Sequence, residues 1–211
     1  MRVLVACEYS GRVRDAFIAR GHDALSCDLL PTEVAGPHYQ GDVRDVLARE
    51  SFDLVIAHPP CTYLANSGVR WLYGGRGTRV DPDRWARMED AAAFFRVLLD
   101  ADAPMVAVEN PIQHRHAGLP APTQTVQPWM FGHPETKATS LWLRGLPPLV
   151  PTNDVRAEMA QLTVAERSRV HYASPGPDRW KERSRTYTGI AEAMASQWGS
   201  LQLSLAIEEG A

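Results

Sequence analysis

Phe52-Asp53-Leu54-Val55-Ile56-Ala57-His58-Pro59-Pro60-Cys61-Thr62 is the stretch on which the reading of this chain turns. Leu54 to Ala57 is a continuous apolar run closed by prolines, the pattern of a strand covered on both faces, as in a parallel sheet. Each proline fixes its own φ and biases the residue before it toward extended geometry, so His58 through Cys61 has few conformations open to it. Open α/β sheets bind their ligands at the C-terminal strand edge. A cysteine held stiffly there reads as a nucleophile, against the plainer reading of a small buried hydrophobe.

Upstream, Arg2-Val3-Leu4-Val5-Ala6-Cys7 reads as a central strand, Glu8-Tyr9-Ser10-Gly11 as a polar turn, and Val13 to Arg20 as a short amphipathic helix ended by Gly21. Ala24 to Asp28 is a second strand closing on an acid, and strand, helix and strand together make a βαβ unit, the usual frame for a nucleotide-like ligand. Asp28 is placed to accept hydrogen bonds from ribose hydroxyls. The first turn lacks the three-glycine dinucleotide fingerprint, and there is no G-x-x-x-x-G-K-[ST] loop, which argues against NAD and ATP and leaves a ligand without a pyrophosphate. In Gly41 to Leu47, Asp42 reads equally as a helix N-cap and as an acceptor for an adenine amino group.

Downstream, Asn66 to Arg79 is glycine-rich, basic and aromatic with no periodicity. It reads as a loop closing over a substrate, with Arg70, Arg76 and Arg79 for phosphate and Trp71 for base stacking, or as a plain surface loop. Trp85 to Leu99 is a helix packing through Met88, Ala92, Phe95 and Leu98-Leu99. Ala103 to Pro111 is the next buried strand, and it brings Glu109 to the same edge as Cys61. Trp129 to Gly132 and Thr139 to Leu143 suggest two more strands. Pro147 to Trp180 turns to loop and a short helix, Val155 to Glu166; Arg167, Arg169, Arg179, Lys181, Arg183 and Arg185 make a locally positive stretch before a last helix from Thr188.

The chain has 211 residues, 45% hydrophobic and 22% charged, enough for one globular domain with a sizeable core. Its net charge of −3 excludes a globally basic nucleic-acid binder but leaves room for a local basic face. Cys7, Cys27 and Cys61 form neither a paired ladder nor a metal spacing, so no metal is expected. With no signal-like stretch and no bilayer-length apolar run, a cytoplasmic protein of a reducing compartment is expected, with no membrane partner. Oligomeric state stays open.

Pro59-Pro60-Cys61 after one buried strand and Glu109-Asn110 after the next, with a helix between, resembles the DNA cytosine-C5 methyltransferases. In order and spacing the resemblance covers almost the entire chain. It implies an α/β, Rossmann-like S-adenosylmethionine-dependent methyltransferase fold, with a mostly parallel central sheet and helices on both faces. Residues 1–211 would be a single catalytic domain, with a short insertion at about 147–180 where the family carries its target-recognition segment. The implied cofactor is S-adenosylmethionine, held by Cys7, Glu8, Tyr9, Ser10, Gly11, Asp28, Leu29, Asp42, Val43, His58, Pro59, Gly189 and Ile190. Catalytic roles fall to Cys61, Glu109, Pro60 and Asn110, with Lys137 and Thr139 in a degenerate form of the Gln and two-arginine motif that Gln127 opens. DNA is the implied partner, met by Arg70, Arg76, Arg79, Arg183 and Arg185. The implied reaction is methyl transfer to C5 of a flipped cytosine through a Cys61 adduct at C6, with low or very short sequence specificity. Chains of this size look like phage- or prophage-encoded modification enzymes, working in the bacterial or infected cell.

Three alternatives stand beside this: a C5 methyltransferase of RNA, one of a free deoxycytidine nucleotide, or a catalytically silent nucleic-acid-binding homologue. The DNA amino-methyltransferases use Asn or Asp before Pro-Pro and an aromatic after it; His58 and Cys61 occupy those places here.

Overall fold

The computed structural model describes residues 1–73, 80–176 and 179–201. In chain order the first half comprises β1 (Arg2–Ala6), α1 (Arg12–Ile18), β2 (Asp23–Asp28), β3 (His38–Gln40), α2 (Val43–Leu47) and β4 (Leu54–Ala57). Then follow a 3₁₀ helix (Asn66–Tyr73), α3 (Pro82–Leu99), β5 (Met105–Pro111), β6 (Gln124–Val126) and β7 (Thr139–Arg144). Four short helices, α4 (Arg156–Met159), α5 (Val164–Arg167), α6 (Arg169–Tyr172) and α7 (Arg179–Ser184), precede α8 (Thr188–Gly199).

The strands form one sheet in the order β3-β2-β1-β4-β5-β7-β6. β3 through β5 are mutually parallel, while β7 runs antiparallel to both β5 and β6. A mostly parallel sheet with helices on both faces is the Rossmann-like arrangement that the resemblance implies. Successive residues of β1 face opposite layers, as the strand period of two requires. Val3 and Val5 join Val13, Phe17, Met194 and Trp198 on the α1 and α8 side. Leu4 and Ala6 join Val43, Val46, Phe95 and Leu98 on the α2 and α3 side. Each fully buried aliphatic contributes about 1.5–3 kcal/mol, which is why apolar strands without alternation belong between two helical layers.

Four expectations change. Trp129 to Gly132 is no strand: Pro128 lacks an N–H and opens a 3₁₀ turn over Pro128–Met130, Gly132 has φ 82, and the strand beside β7 is β6 instead. The helix expected over 155–166 is split because Thr163 starts a new one, its hydroxyl accepting from the Glu166 N–H while Glu166 accepts from the Thr163 N–H. Asn66–Tyr73, expected as loop, is a 3₁₀ helix. α3 begins earlier than its apolar pattern, at Pro82, with Asp81 capping the Arg84 N–H.

Two polar devices fix the layers. Arg14 is fully buried in α1, and its guanidinium donates to Ser26 Oγ, Thr32 Oγ1 and the Val34 carbonyl while pairing with Asp15 at 2.7 Å. It lies between Gly11 and Gly36, where an added Cβ would come within 2.5 and 2.7 Å of it. At the start of α8, the Gly189 N–H donates to His133 Nε2 at 3.0 Å, and the Phe131 carbonyl oxygen sits where a Cβ would be 1.9 Å away. Alanine there must push the helix off the Phe131 loop. We predict that Gly189→Ala destabilises the fold by about 3 kcal/mol, the upper end for overpacking, measured by urea unfolding.

Candidate active site

β1 and β4 are neighbours at the point where the strand order reverses, so the turns after them open one crevice. Cys7 begins the first turn at φ 58, the one positive-φ non-glycine among the described residues. The kink turns the Glu8 side chain under α1. Its carboxylate, 4% exposed, accepts from the Val13 N–H at 2.7 Å, the Arg14 N–H at 3.2 Å and the Ser10 hydroxyl at 3.2 Å. The helix N-terminal amides that would cradle a phosphate are thus already taken by a carboxylate of the chain itself. That is the physical counterpart of the missing glycine fingerprint.

Beside this turn lies a cavity of ≈ 260 Å³ lined by Cys7, Cys27, Asp28, Leu29, Gly41, Asp42, Val43, Arg44, Pro60 and Phe94. Asp28 ends β2 with one oxygen accepting from the Leu30 N–H, and burial raises its pKa. Leu29 is exposed at the rim, opposite the Phe94 ring on α3. Asp42 does cap α2, accepting from the Arg44 N–H, and its carboxylate also binds the Arg44 guanidinium, which holds its pKa below the usual range. An adenine amino group would therefore compete with Arg44 for it. An acid at a strand end and apolar walls fit the adenosine part of S-adenosylmethionine. Burial pushes the Cys27 thiol up to about 12 and the Cys7 thiol higher still, so both remain neutral lining groups.

On the other side of Cys7, a smaller cavity of ≈ 40 Å³ is lined by Glu8, Tyr9, Ser10, His58, Ser184, Arg185 and Thr186. The 181–186 segment is strapped over the first turn. Tyr9 Oη donates to the Lys181 carbonyl, Arg12 donates to the Thr186 carbonyl, and Arg185 binds Glu33 through two hydrogen bonds of 2.9 and 2.6 Å. Of the expected cofactor residues, Gly11, Pro59, Gly189 and Ile190 do not line either cavity: Gly11 lies against the Arg14 guanidinium, the Pro59 carbonyl is held by Asn110, the Gly189 amide is used by His133, and Ile190 is 3% exposed in the core. Ser184 to Thr186 stand there instead. Sequence reasoning missed Ser184 and Thr186 and assigned Arg185 to nucleic acid, and it missed Phe94 and Arg44 because an amphipathic pattern marks the core face of a helix and not its rim.

The reactive edge is built by β4 and β5 together. The Asn110 side chain donates to the Pro59 carbonyl at 3.2 Å and so ties the double-proline corner to the end of β5. Pro60 is shared with the larger cavity, and Cys61, partly exposed, starts a turn closed by the Leu64 and Ala65 N–H groups. Glu109 Oε2 lies 2.7 Å from His58 Nδ1, with the two side chains 12% and 10% exposed. Gln127 accepts from the Lys137 N–H, and Lys137 Nζ donates to the Arg185 carbonyl. Thr139 is buried in β7, and its hydroxyl donates to the Lys137 carbonyl, so it supports Lys137 rather than facing the crevice. Burial raises the Cys61 thiol above its ordinary value and the charge of Glu109 adds to this, while Lys137 and Arg183 pull it down.

The arginines expected at nucleic acid divide. Arg183 reaches Cys61 electrostatically, and Arg70 stacks on the half-exposed Trp71 with its guanidinium carbon 4.7 Å from the ring centroid. Arg185 is taken by Glu33. Arg76 and Arg79 lie outside the described residues. Among the described residues, no group of three or more His, Cys, Asp or Glu side chains is arranged to hold a metal, and no helix is long and apolar enough to cross a membrane.

No protein-family model matches the chain, and neither does any curated protein sequence. Among solved structures it is similar to a DNA modification methyltransferase encoded within an E. coli prophage, at 14% identity and TM-score 0.44, over 68% of this chain and 46% of that one. It is also similar to the Entamoeba histolytica methyltransferase EhMeth, at 13% identity and TM-score 0.42, over 73% and 57% of the two chains. A third is the S. pombe Dnmt2 methyltransferase, at 13% identity and TM-score 0.41, over 94% and 65%. The chain thus spans about half to two thirds of the length of these structures.

The charges around Cys61 make its thiol reactivity a direct reporter of the site. Glu109→Gln removes a negative charge and is expected to speed iodoacetamide alkylation of Cys61 at neutral pH by about threefold to tenfold. Lys137→Met is expected to slow it by a similar factor, one pKa unit being tenfold in thiolate. Peptide mass spectrometry of the Cys61 peptide reads both.

Proposed function

We propose that this chain is an S-adenosylmethionine-dependent methyltransferase that modifies C5 of cytosine in nucleic acid, with DNA as the substrate. One observation carries the proposal. Cys61 and Glu109 leave adjacent parallel strands at the same edge, within one electrostatic neighbourhood, and Pro60 forms a wall shared with the adenosine-sized cavity.

Cytosine C5 is a poor nucleophile until a nucleophile adds at C6, and a thiolate suits that role. Cys61 forms the bond to C6, and Glu109 holds the N3 and N4 edge of the ring. Electrons released by the addition travel through the ring to C5, while N3 takes a proton. When bound, S-adenosylmethionine supplies the electrophilic methyl group. Loss of the C5 proton to water then expels the Cys61 sulfur and restores the aromatic ring. Burial and the Glu109 charge both oppose the Cys61 thiolate and favour the protonated thiol. A base whose amino group donates to Glu109 disperses its charge and so eases one of those two penalties, which couples substrate docking to nucleophile activation. Lys137 and Arg183 supply the remaining bias toward thiolate.

Cofactor recognition falls to Asp28 for the ribose hydroxyls and to Leu29, Val43 and Phe94 around the adenine. On the nucleic-acid side, Arg70 with Trp71, and the exposed Trp180 beside Lys181, offer cations next to stacking surfaces. Between β7 and α8 the described residues form only helices of four to six residues, too little for an independent reader of a long site. Low or very short sequence specificity follows.

Nucleoside mass spectrometry of DNA from cells expressing the wild type and Cys61→Ser tests this reading. A new C5-modified deoxycytidine is expected with the wild type and none with the variant. The same modification in RNA or in the nucleotide pool alone would reassign the substrate, and its absence from all three would overturn the assignment. For the cofactor, Asp28→Ala is expected to weaken S-adenosylmethionine binding by about tenfold or more in calorimetry, the loss of a charged hydrogen-bond acceptor.

A further inference from the structure

His58 stands where the two halves of the site meet. Its backbone N–H donates to the Ala6 carbonyl at 2.9 Å, which fixes the residue against the end of β1, and the double proline that follows removes its freedom. The side chain is about nine-tenths buried, with Nδ1 at 2.7 Å from Glu109 Oε2. The other ring nitrogen, Nε2, is buried and has no hydrogen-bond partner among the described residues, on a ring that lines the small cavity with Glu8 and Ser10. A histidine that served only to brace a carboxylate would be expected to have its second nitrogen satisfied.

We infer that His58 and Glu109 form one proton-holding pair, in which His58 is a positioning residue that sets whether Glu109 meets the base as a carboxylate or as an acid. This rests on the reading of Cys61 and Glu109 given above. The Nδ1–H···Oε2 hydrogen bond is kept in both forms. The mobile proton sits on Nε2 in one form and on Glu109 Oε1 in the other, exchanging through water. As an imidazolium–carboxylate pair, Glu109 accepts from the cytosine amino group but opposes the N3 lone pair. As a neutral imidazole beside an acid, it donates Oε1–H to N3.

Glu109 lends one proton and regains it, the Cys61 thiol gives its proton to water before attack and regains one after release, and the C5 proton leaves to water as the net proton of the transfer. As the Cys61 sulfur bonds to C6, the C5–C6 π pair shifts to C4–C5 and the C4–N3 pair moves onto N3, which takes the Oε1 proton. After C5 has accepted the methyl group and lost its proton, the S–C6 bond breaks, C5–C6 is restored, and N3 returns its proton to Glu109. The charges facing the pair are Glu8 from the first turn and Lys137 from the approach to β7, with Cys61 and Arg183 beyond. Burial lowers the proton affinity of His58, but Glu109 and Glu8 outweigh it and leave it above the ordinary histidine value. Burial raises that of Glu109, but His58 and Lys137 bring it below its ordinary value.

A pH titration of the full chain followed by NMR of the histidine side-chain nitrogens, wild type against Glu109→Gln, reads the pair without requiring any transfer. His58 is expected to titrate above the ordinary histidine range in the wild type, and its proton affinity is expected to fall at least tenfold in the variant. An unchanged titration overturns the pairing. His58→Asn keeps an N–H near the Nδ1 position but holds no mobile proton. With folding checked by circular dichroism, it is expected to lose about a hundredfold in kcat with little change in KM, the scale of a general-acid contribution. Its high-pH limb, which follows loss of the pair's proton, should move. A wild-type rate and an unmoved limb would overturn the proton role. If the wild type transfers nothing to any nucleic acid, the methyltransferase reading fails, while the titration still decides the pair.

Discussion

The pairing of β1 with β4 at the centre of the sheet is the constraint from which the site follows. Val3, Leu4, Val5 and Ala6 register against Leu54, Val55, Ile56 and Ala57, and all eight residues are fully buried. Strands covered on both faces cannot slip by one residue without exchanging which side chains meet which helical layer, so the register is firmly set. Where it ends, the chain must turn on both strands at the same height. Cys7 and His58 stand side by side for that reason, and the cavities on either side of Cys7 are the space left by two turns diverging in opposite directions.

Much of the charge near this crevice is committed to architecture. Glu8 is consumed by the α1 amides, Arg14 by the loop that it clamps, Arg185 by Glu33 and Asp42 by Arg44. What these leave around the reactive edge is a small set: Cys61, His58, Glu109, Lys137 and Arg183. In a buried setting a few charges count heavily, because little solvent lies between them to screen their fields. The Cys61 thiol therefore responds to the protonation of Glu109, and Glu109 to that of His58.

The central architecture was legible in the sequence where the signal is local and redundant. β4 runs over the residues that its apolar run marks, the helix after Asp81 and the strand ending at Pro111 follow, and the meeting of the β4 and β5 ends could be expected from a βαβ crossover alone. Legibility failed where a partner distant in sequence decides the outcome. Nothing near Gly189 announces that His133 will take its amide, and nothing near Phe94 says that Arg44 will lie over its ring. Trp129 to Gly132 misled because its aromatic run resembles a strand, whereas the proline before it dictates a turn. Asp42 was ambiguous for a sound reason: a capping acid and a ligand acid have the same composition, and only the placement of Arg44 separates them.

Arg14 carries a consequence of a different kind. Its guanidinium fills the space that side chains at positions 11 and 36 would need, and it bonds to residues of β2 and of the loop after it. The three positions are therefore one unit of inheritance. A larger residue at either glycine pushes the guanidinium out of its hydrogen bonds, and a smaller residue at position 14 leaves a void together with several unpaired acceptors. Each single substitution within the three costs packing or hydrogen bonds that a second one can restore, so changes at positions 11, 14 and 36 are coupled to one another.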